Sequence, residues 1–261
     1  MTSPPPARII ILMLNSLLTG LCDLIFPRHC LICRQYHPRT AHDPVCPSCQ
    51  SNLPWNTPPF CLRCSRHLDV VSAEGLCPSC RNHPPRFDEA WTILHYEGTA
   101  RDILKRFKFH NKTSLRRTFK TLLAHFIARH DLVFPANAII VPMPLHPLRL
   151  RERGYNQAGL LAESVAQLLS LPLAADILER VRHTPRQSEL GAKERWTNIK
   201  GAFRIKNPAS IKGSPVILVD DILTTGATAS EASGILKDAG ASQVIIISLA
   251  IASCGSCATT S

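Results

Sequence analysis

The sequence has no uninterrupted apolar run of the ~20 residues that a membrane-spanning helix needs. Its nearest approach, Arg8 followed by IIILML, is broken by Asn15, Ser16 and Asp23. No small-residue cleavage site follows before the first cysteine pair, which argues against a secretory leader. Acid is scarce too: 19 Asp and Glu stand against 30 Lys and Arg, a formal net charge of +11. That balance favours polyanionic partners such as nucleic acid, phosphorylated small molecules or acidic lipid head groups. Neither G-x-x-x-x-G-K-[ST] nor G-x-G-x-x-G occurs, so the two common nucleotide-binding fingerprints are excluded. From Phe87 onward cysteine is missing until the last eight residues. The only internal repeat is the spacing of the cysteines.

What is present bounds the class. Hydrophobic residues make up 45% and charged residues 19%, which fits a packed core and excludes a wholly disordered or fibrous chain. The 261 residues suit one domain of ~150 residues plus something smaller. Three parts are expected. Residues 1–26 carry Ile10, Leu14, Leu17, Leu18 and Leu21 at helical spacing, an amphipathic helix packing on the protein. Residues 27–86 are rich in Cys and Pro and too few to build a core unaided. Residues 87–261 hold the regular patterns, and the expected compartment is the cytoplasm.

Eight of the 11 cysteines form four C-x-x-C pairs: Cys30/Cys33, Cys46/Cys49, Cys61/Cys64 and Cys77/Cys80. One such turn presents two thiolates to a metal, and tetrahedral zinc needs two turns. Four pairs therefore suit two structural Zn2+ ions in a reducing compartment. The equal spacing favours pairing the first turn with the second and the third with the fourth; an interleaved scheme is the alternative. Cys22 reads as a small core residue. Cys254/Cys257, a fifth pair at the tail, lacks two further ligands.

In the third part, AWTILHY (90–96) reads as a strand closed by Gly98. Ser114 is the expected cap of a helix bearing Leu115, Phe119, Leu122, Leu123, Phe126 and Ile127. AIIVP (138–142) is a short strand, and Leu161, Val165, Leu168 and Leu169 mark another helix. Arg180 to Lys200 is polar and weakly periodic, a long loop of the kind that is either a functional lid or disordered. VILV (216–219), a helix from about Ala227 to Ala239 stopped by Gly240, and VIIISLAI (244–251) complete a strand–helix–strand unit. Strands apolar on both faces mean a parallel, covered sheet, so the architecture is α/β with a Cys-rich module in front.

Most of the chemistry lies in VILVDDILTTGATAS (216–230). Asp220 and Asp221 stand at the carboxyl end of a buried strand, where open α/β sheets bind ligands. Thr224, Thr225, Gly226, Ala227 and Thr228 then run into a helix start, whose exposed amides and positive end suit a phosphate dianion. Arg149, Arg151 and Arg153 with Asn156 and Gln157 follow the 138–142 strand and supply cations and donors. Arg186, Gln187, Lys193 and Arg195 lie on the long polar segment, placed to close over a reacting centre. Arg101, Lys105, Arg106, Lys108, Lys112, Arg116, Arg117 and Lys120 form the densest basic stretch.

The 216–230 segment resembles the signature of type I phosphoribosyltransferases, which bind 5-phosphoribosyl-1-pyrophosphate (PRPP). The resemblance implies that Asp220 and Asp221 hold the ribose hydroxyls and that Thr224–Thr228 cradle the 5′-phosphate. It also implies Mg2+ bound with PRPP, and a parallel sheet of about five strands plus a hood. Together with the cysteine pairs, HYEGTARDILKRFKF (95–109), VPMPLHPLRLRERGYNQA (141–158) and TPRQSELGAKERWTNIKGAF (184–203) make the chain similar to the ComF/GntX family of competence-associated proteins. Met143 and Tyr155 depart from the residues common there. The family implies a role in natural transformation, with single-stranded DNA and DNA-uptake proteins as partners. Two readings follow: phosphoribosyl transfer to an undefined acceptor, or a non-catalytic PRPP-sensing or single-stranded-DNA-binding accessory protein. No general base is evident.

Overall fold

The structure, a computed structural model, describes residues 28–37, 43–183 and 192–252. The expected helix over 1–26, Cys22, Arg186, Gln187 and the Cys254/Cys257 pair lie outside those residues, as does the side chain of Lys193. The chain divides into two compact units, Met1–Asn52 and Leu53–Ser261.

In the first unit a short hairpin, closed by the His29–Tyr36 bridge, presents Cys30 and Cys33. A one-turn helix, α1 (Pro47–Ser51), begins directly after Cys46. Proline at the first helical position suits this start, since its missing N–H would have no partner there.

The second unit repeats that motif with the Phe60–His67 bridge and α2 (Pro78–Asn82), which begins directly after Cys77. It then builds the sheet. β1 (Glu89–His95) leads into α3 (Gly98–Phe109) and α4 (Leu115–Arg129). β2 (Ile139–Pro142), α5 (Pro147–Arg153) and α6 (Gln157–Leu169) follow. β3 (Leu178–Arg180), α7 (Ala192–Ile199) and β4 (Phe203–Ile205) come next. The unit ends with β5 (Pro215–Leu223), α8 (Ala227–Asp238) and β6 (Gln243–Ile251).

Four strands form one parallel sheet in the order β1-β6-β5-β2, and β3 and β4 pair antiparallel as a separate ribbon. The central strands are buried along nearly their whole length, as the unbroken apolar runs require. A fifth parallel strand is reduced to a single bridge between Ile140 and Leu173. Ile140 donates to the Pro172 carbonyl and accepts from Ala174, but Pro172 has no N–H with which to extend the ladder.

Several elements depart from the sequence expectation. Ser114 precedes α4, but its backbone is helical and its side chain makes no cap bond. The first part of the basic stretch is a full helix, α3, with Ala100, Ile103, Leu104 and Phe107 buried beneath its cations. The polar segment 180–200 carries α7 at its end instead of being loop throughout. β5 runs on through both aspartates to Leu223. Gly240 stops α8 as expected: with φ at 98°, it follows a turn in which its amide bonds Lys237 and the Ala241 amide bonds Leu236.

Candidate ligand cavity and metal clusters

The eight cysteines gather into two clusters, Cys30/Cys33/Cys46/Cys49 and Cys61/Cys64/Cys77/Cys80, each with its sulfurs within 4.8 Å of one another. Consecutive turns therefore pair, and the interleaved scheme is excluded. The Sγ–Sγ distances of 3.9 Å (Cys33–Cys46) and 3.7 Å (Cys64–Cys77) match the ~3.8 Å between sulfurs held tetrahedrally around zinc. Equivalent amides point at equivalent sulfurs: Cys46 N to Cys30 Sγ at 3.4 Å, and Cys77 N to Cys61 Sγ at 3.3 Å. Such N–H···S bonds orient thiolate ligands. In the second cluster hydrogen bonding from Cys64 holds the Cys61 thiol low, while hydrogen bonding to Cys61 holds Cys64 high. The four thiols compete for one another's protons, and a divalent cation relieves that competition by ionising them together. An all-sulfur, four-coordinate set fits structural zinc. All four sulfurs of the second cluster belong to buried residues, whereas Cys33 in the first is exposed.

A cavity of about 620 Å³ opens in the second unit. Tyr96, Met143, Asp220–Thr224 and Ala252 line it, each at or just past the carboxyl end of one of the four parallel strands. That is where a sheet of this topology leaves room for a ligand. Alternate residues of a strand face opposite sides. Asp220 and Asp221 nonetheless both line the cavity; β2 ends at Pro142, opposite Val219, which leaves that edge of β5 open beside them.

The two acids are not equivalent. Lys108, on α3, approaches Asp221 to 2.7 Å. Burial pushes the Asp220 carboxyl up to about 7, and the charge of Asp221 adds to the shift. Lys108, the Asp221 amide at 2.8 Å and Arg180 act against it.

Past Leu223 the chain turns through Thr224, Thr225 and Gly226 into α8. Gly226 has φ of 82° and is the N-cap residue, a conformation that residues with a Cβ rarely adopt. Among the described residues, no backbone carbonyl accepts from the amides of Thr225 or Gly226. The Ala227 amide makes only a long contact, 3.4 Å, to the Thr225 hydroxyl. Thr224, Gly226 and Thr228 line the cavity, so the N-terminus of α8 faces it, with the Gly226 amide given to no backbone carbonyl among the described residues.

The arginines expected to supply cations divide by helix face. Arg149 and Arg153, four residues apart on α5, line the cavity. Arg151, two residues from each, does not line it and is exposed on the far side of the turn. Asn156 caps α6, accepting from the Ala158 amide and donating to the Met143 carbonyl. Gln157 is buried; it accepts from Arg153 at 2.8 Å and contacts the Lys108 carbonyl. Tyr155 donates to the Phe107 carbonyl. These three polar side chains fasten α3 and the α5–α6 turn around the cavity. Arg195 on α7 lines it as well.

Further lining residues were not singled out as site residues in the sequence: Lys105, Lys108, Arg180, His146 and His183. Arg180 sits on β3, its pKa lowered by burial and raised by the charge of Asp220. His146 caps α5 through Nδ1 and meets the His183 ring edge-on, centroids 5.1 Å apart. Burial and the neighbouring cations, His183 first, hold His146 below its usual value. Only hydrophobic spacing could have shown that α3 turns Lys108 inward; the positions of Arg180 and His183 follow from the β3–β4 ribbon, a tertiary feature.

Residues 21–81 match the model of the double zinc ribbon domain, and residues 156–256 match that of the phosphoribosyl transferase domain. Competence protein F of Haemophilus influenzae is 36% identical over 173 residues, 64% of this chain and 74% of that protein. The DNA utilization protein YhgH of Salmonella typhi is 31% identical over 163 residues, 62% of this chain and 71% of its own length. Competence protein ComFC of Bacillus subtilis is 33% identical over 150 residues, 57% of this chain and 58% of its own.

Proposed function

The chain belongs to the family of competence protein F and YhgH, and on that premise we propose that its cavity binds PRPP during the handling of DNA taken up by the cell, on the cytoplasmic side. The observation that carries the reading is convergence. An acid pair, the N-terminus of α8, and arginines from α5, β3 and α7 all line one cavity.

Each part suits one portion of the ligand. Asp220 and Asp221 accept hydrogen bonds from the ribose 2′- and 3′-hydroxyls. The Thr224–Thr228 turn donates amides and hydroxyls to the 5′-phosphate, helped by the positive end of α8. Arg149, Arg153 and Arg195 answer the pyrophosphate charge with planar, multidentate donors. Carboxylate oxygens are the donors Mg2+ prefers, so Asp220 and Asp221 fit a cation carried in with PRPP, which would supply charge neutralisation at the leaving group. No described helix is long and apolar enough to cross a membrane.

For turnover, the bond from C1 of the ribose to pyrophosphate breaks as an acceptor nucleophile bonds to C1, and pyrophosphate departs with the electron pair. The protein's part is to position the sugar and to stabilise the departing charge. The acceptor is undefined, and the second reading therefore stands beside the first: ligand binding without transfer, in a single-stranded-DNA-binding accessory protein. The surplus of cations, +11, favours contact with a polyanion larger than PRPP.

Asp220→Ala combined with Asp221→Ala is expected to abolish Mg-dependent PRPP binding measured by calorimetry, with the circular dichroism spectrum retained. Unchanged affinity would refute the site. Pyrophosphate release from labelled PRPP in the presence of candidate acceptors separates transfer from binding alone.

A further inference from the structure

The second cysteine cluster lies against the back of the sugar-phosphate turn. Cys64, Cys80, Arg66 and Phe87 share a narrow crevice with Thr224, Thr225 and Gly226. The Phe87 ring lies 3.7 Å from the point where a Cβ on Gly226 would stand. Across this crevice Arg66 Nη2 donates to the Thr224 carbonyl at 3.0 Å.

The direction of that carbonyl matters because the peptide that follows is rigid. Pro58–Pro59 is the only cis bond among the described residues, so the Thr224–Thr225 peptide is trans. In a planar trans peptide the C=O and the N–H point in opposite directions. A Thr224 carbonyl held back toward the ribbon by Arg66 therefore turns the Thr225 amide away from the ribbon, between two residues, Thr224 and Gly226, that line the cavity. Without a donor behind it, the same peptide is free to rotate and present its carbonyl oxygen, which repels a phosphate.

Arg66 is itself fixed by the metal-ligating turn. Its carbonyl accepts from the Cys61 amide at 2.7 Å, and the preceding Ser65 donates its amide to Cys61 O at 2.8 Å. Ser65 takes a left-handed φ of 62°, which the knuckle imposes. The Ser65 hydroxyl is locked by Asn56 and by the Thr92 amide of β1, at 3.0 and 3.1 Å.

We propose that Arg66 is a positioning residue for the 5′-phosphate, so that the metal-bound second ribbon sets the affinity of the turn for sugar phosphates. The inference rests on the reading of the cavity as a PRPP site and adds to it a role for the ribbon. Arg66 touches no ligand; it acts through the Thr224–Thr225 peptide.

The test compares Arg66→Met, which keeps length but removes the donor, with Arg66→Lys, which keeps one. Both are titrated by calorimetry with ribose 5-phosphate and, separately, with pyrophosphate, and both are checked for two zinc ions per chain. Loss of one charged hydrogen bond predicts ribose 5-phosphate binding about tenfold weaker in Arg66→Met. Arg66→Lys recovers most of that loss, and pyrophosphate affinity is unchanged in both. Equal ribose 5-phosphate affinity in the parent and Arg66→Met overturns the inference alone. Absence of ribose 5-phosphate and PRPP binding by the parent overturns the functional reading, and this inference with it. If Arg66→Met loses zinc, the unaltered protein decides: the Thr225 amide resonance shifts on ribose 5-phosphate binding, and a resonance that stays fixed in the bound state overturns the inference.

Discussion

Asp220 and Asp221 share a chemical identity and a strand, yet their surroundings separate them. Lys108 gives Asp221 a counter-ion at 2.7 Å, while burial and the neighbouring charge lift Asp220 to about 7 from an ordinary 3.8. A carboxyl whose folded value is raised favours its protonated form in the fold. The ligand-free protein therefore loses stability as pH climbs from about 4 to about 7, and no further above that. Ribose hydroxyls and a divalent cation both need the carboxylate. Affinity for Mg·PRPP is accordingly expected to rise between about pH 6 and about pH 8, a window centred on the Asp220 value of about 7. Calorimetry across that range checks it, and Asp220→Asn should flatten the profile; a parent profile already flat would remove the acid pair's special role. The pair itself was legible in the sequence as two adjacent acids after an apolar run. Its asymmetry was not, because the lysine responsible arrives from a helix that sequence spacing left unassigned.

At the scale of elements, α5 shows how a run of like residues becomes a site. Arg149, Arg151 and Arg153 read in sequence as one group of ligand-facing cations. Wound into a helix, 149 and 153 share a face and 151 takes the opposite one. Replacing Arg149 or Arg153 with Ala is expected to weaken pyrophosphate binding by about tenfold or more, the scale of a charged hydrogen bond, while Arg151→Ala leaves it unchanged. Calorimetry on the three variants checks this, and equal losses at all three positions would contradict the helical assignment. Arg153 also lies over the Phe109 ring, 5.1 Å from its centroid, so its removal loosens α3 as well. The loss of regularity after β2 was signalled by Pro142 and Pro144, but a helix of seven residues is too short for hydrophobic periodicity to announce itself.

For the molecule as a whole, charge and metal clusters set the larger behaviour. The densest basic stretch does not act as one patch. Lys105 and Lys108 line the cavity, Arg116 meets Glu163 at 3.4 Å, and Lys120 meets Gln167 at 3.2 Å. Arg101 and Lys112 remain exposed on the surface. If the surplus charge serves the accessory role, the affinity for a labelled single-stranded oligonucleotide should fall linearly in log–log form with salt, with a slope near −0.7 per phosphate neutralised. Fluorescence anisotropy at several salt concentrations measures it, and an oligonucleotide that stays unbound at low salt would leave PRPP binding as the sole function. The second cysteine cluster belongs to the same compact unit as the sheet, with its four cysteines packed into the hydrophobic core alongside Phe87 and Leu223.

The amino-acid sequence alone determined what is local. C-x-x-C spacing fixed the sulfur pairs, unbroken apolar runs fixed the buried parallel strands, and the Asp-Asp/Thr-Thr-Gly order fixed a strand that turns into a helix start. These follow from rules that operate within a few residues of chain. Tertiary structure decided what depends on distant segments meeting: which cations face the cavity, which aspartate has a counter-ion, and which group stands behind the Thr224 carbonyl. Direction and desolvation are properties of packed neighbours, and the order of residues does not encode them until the chain has closed on itself.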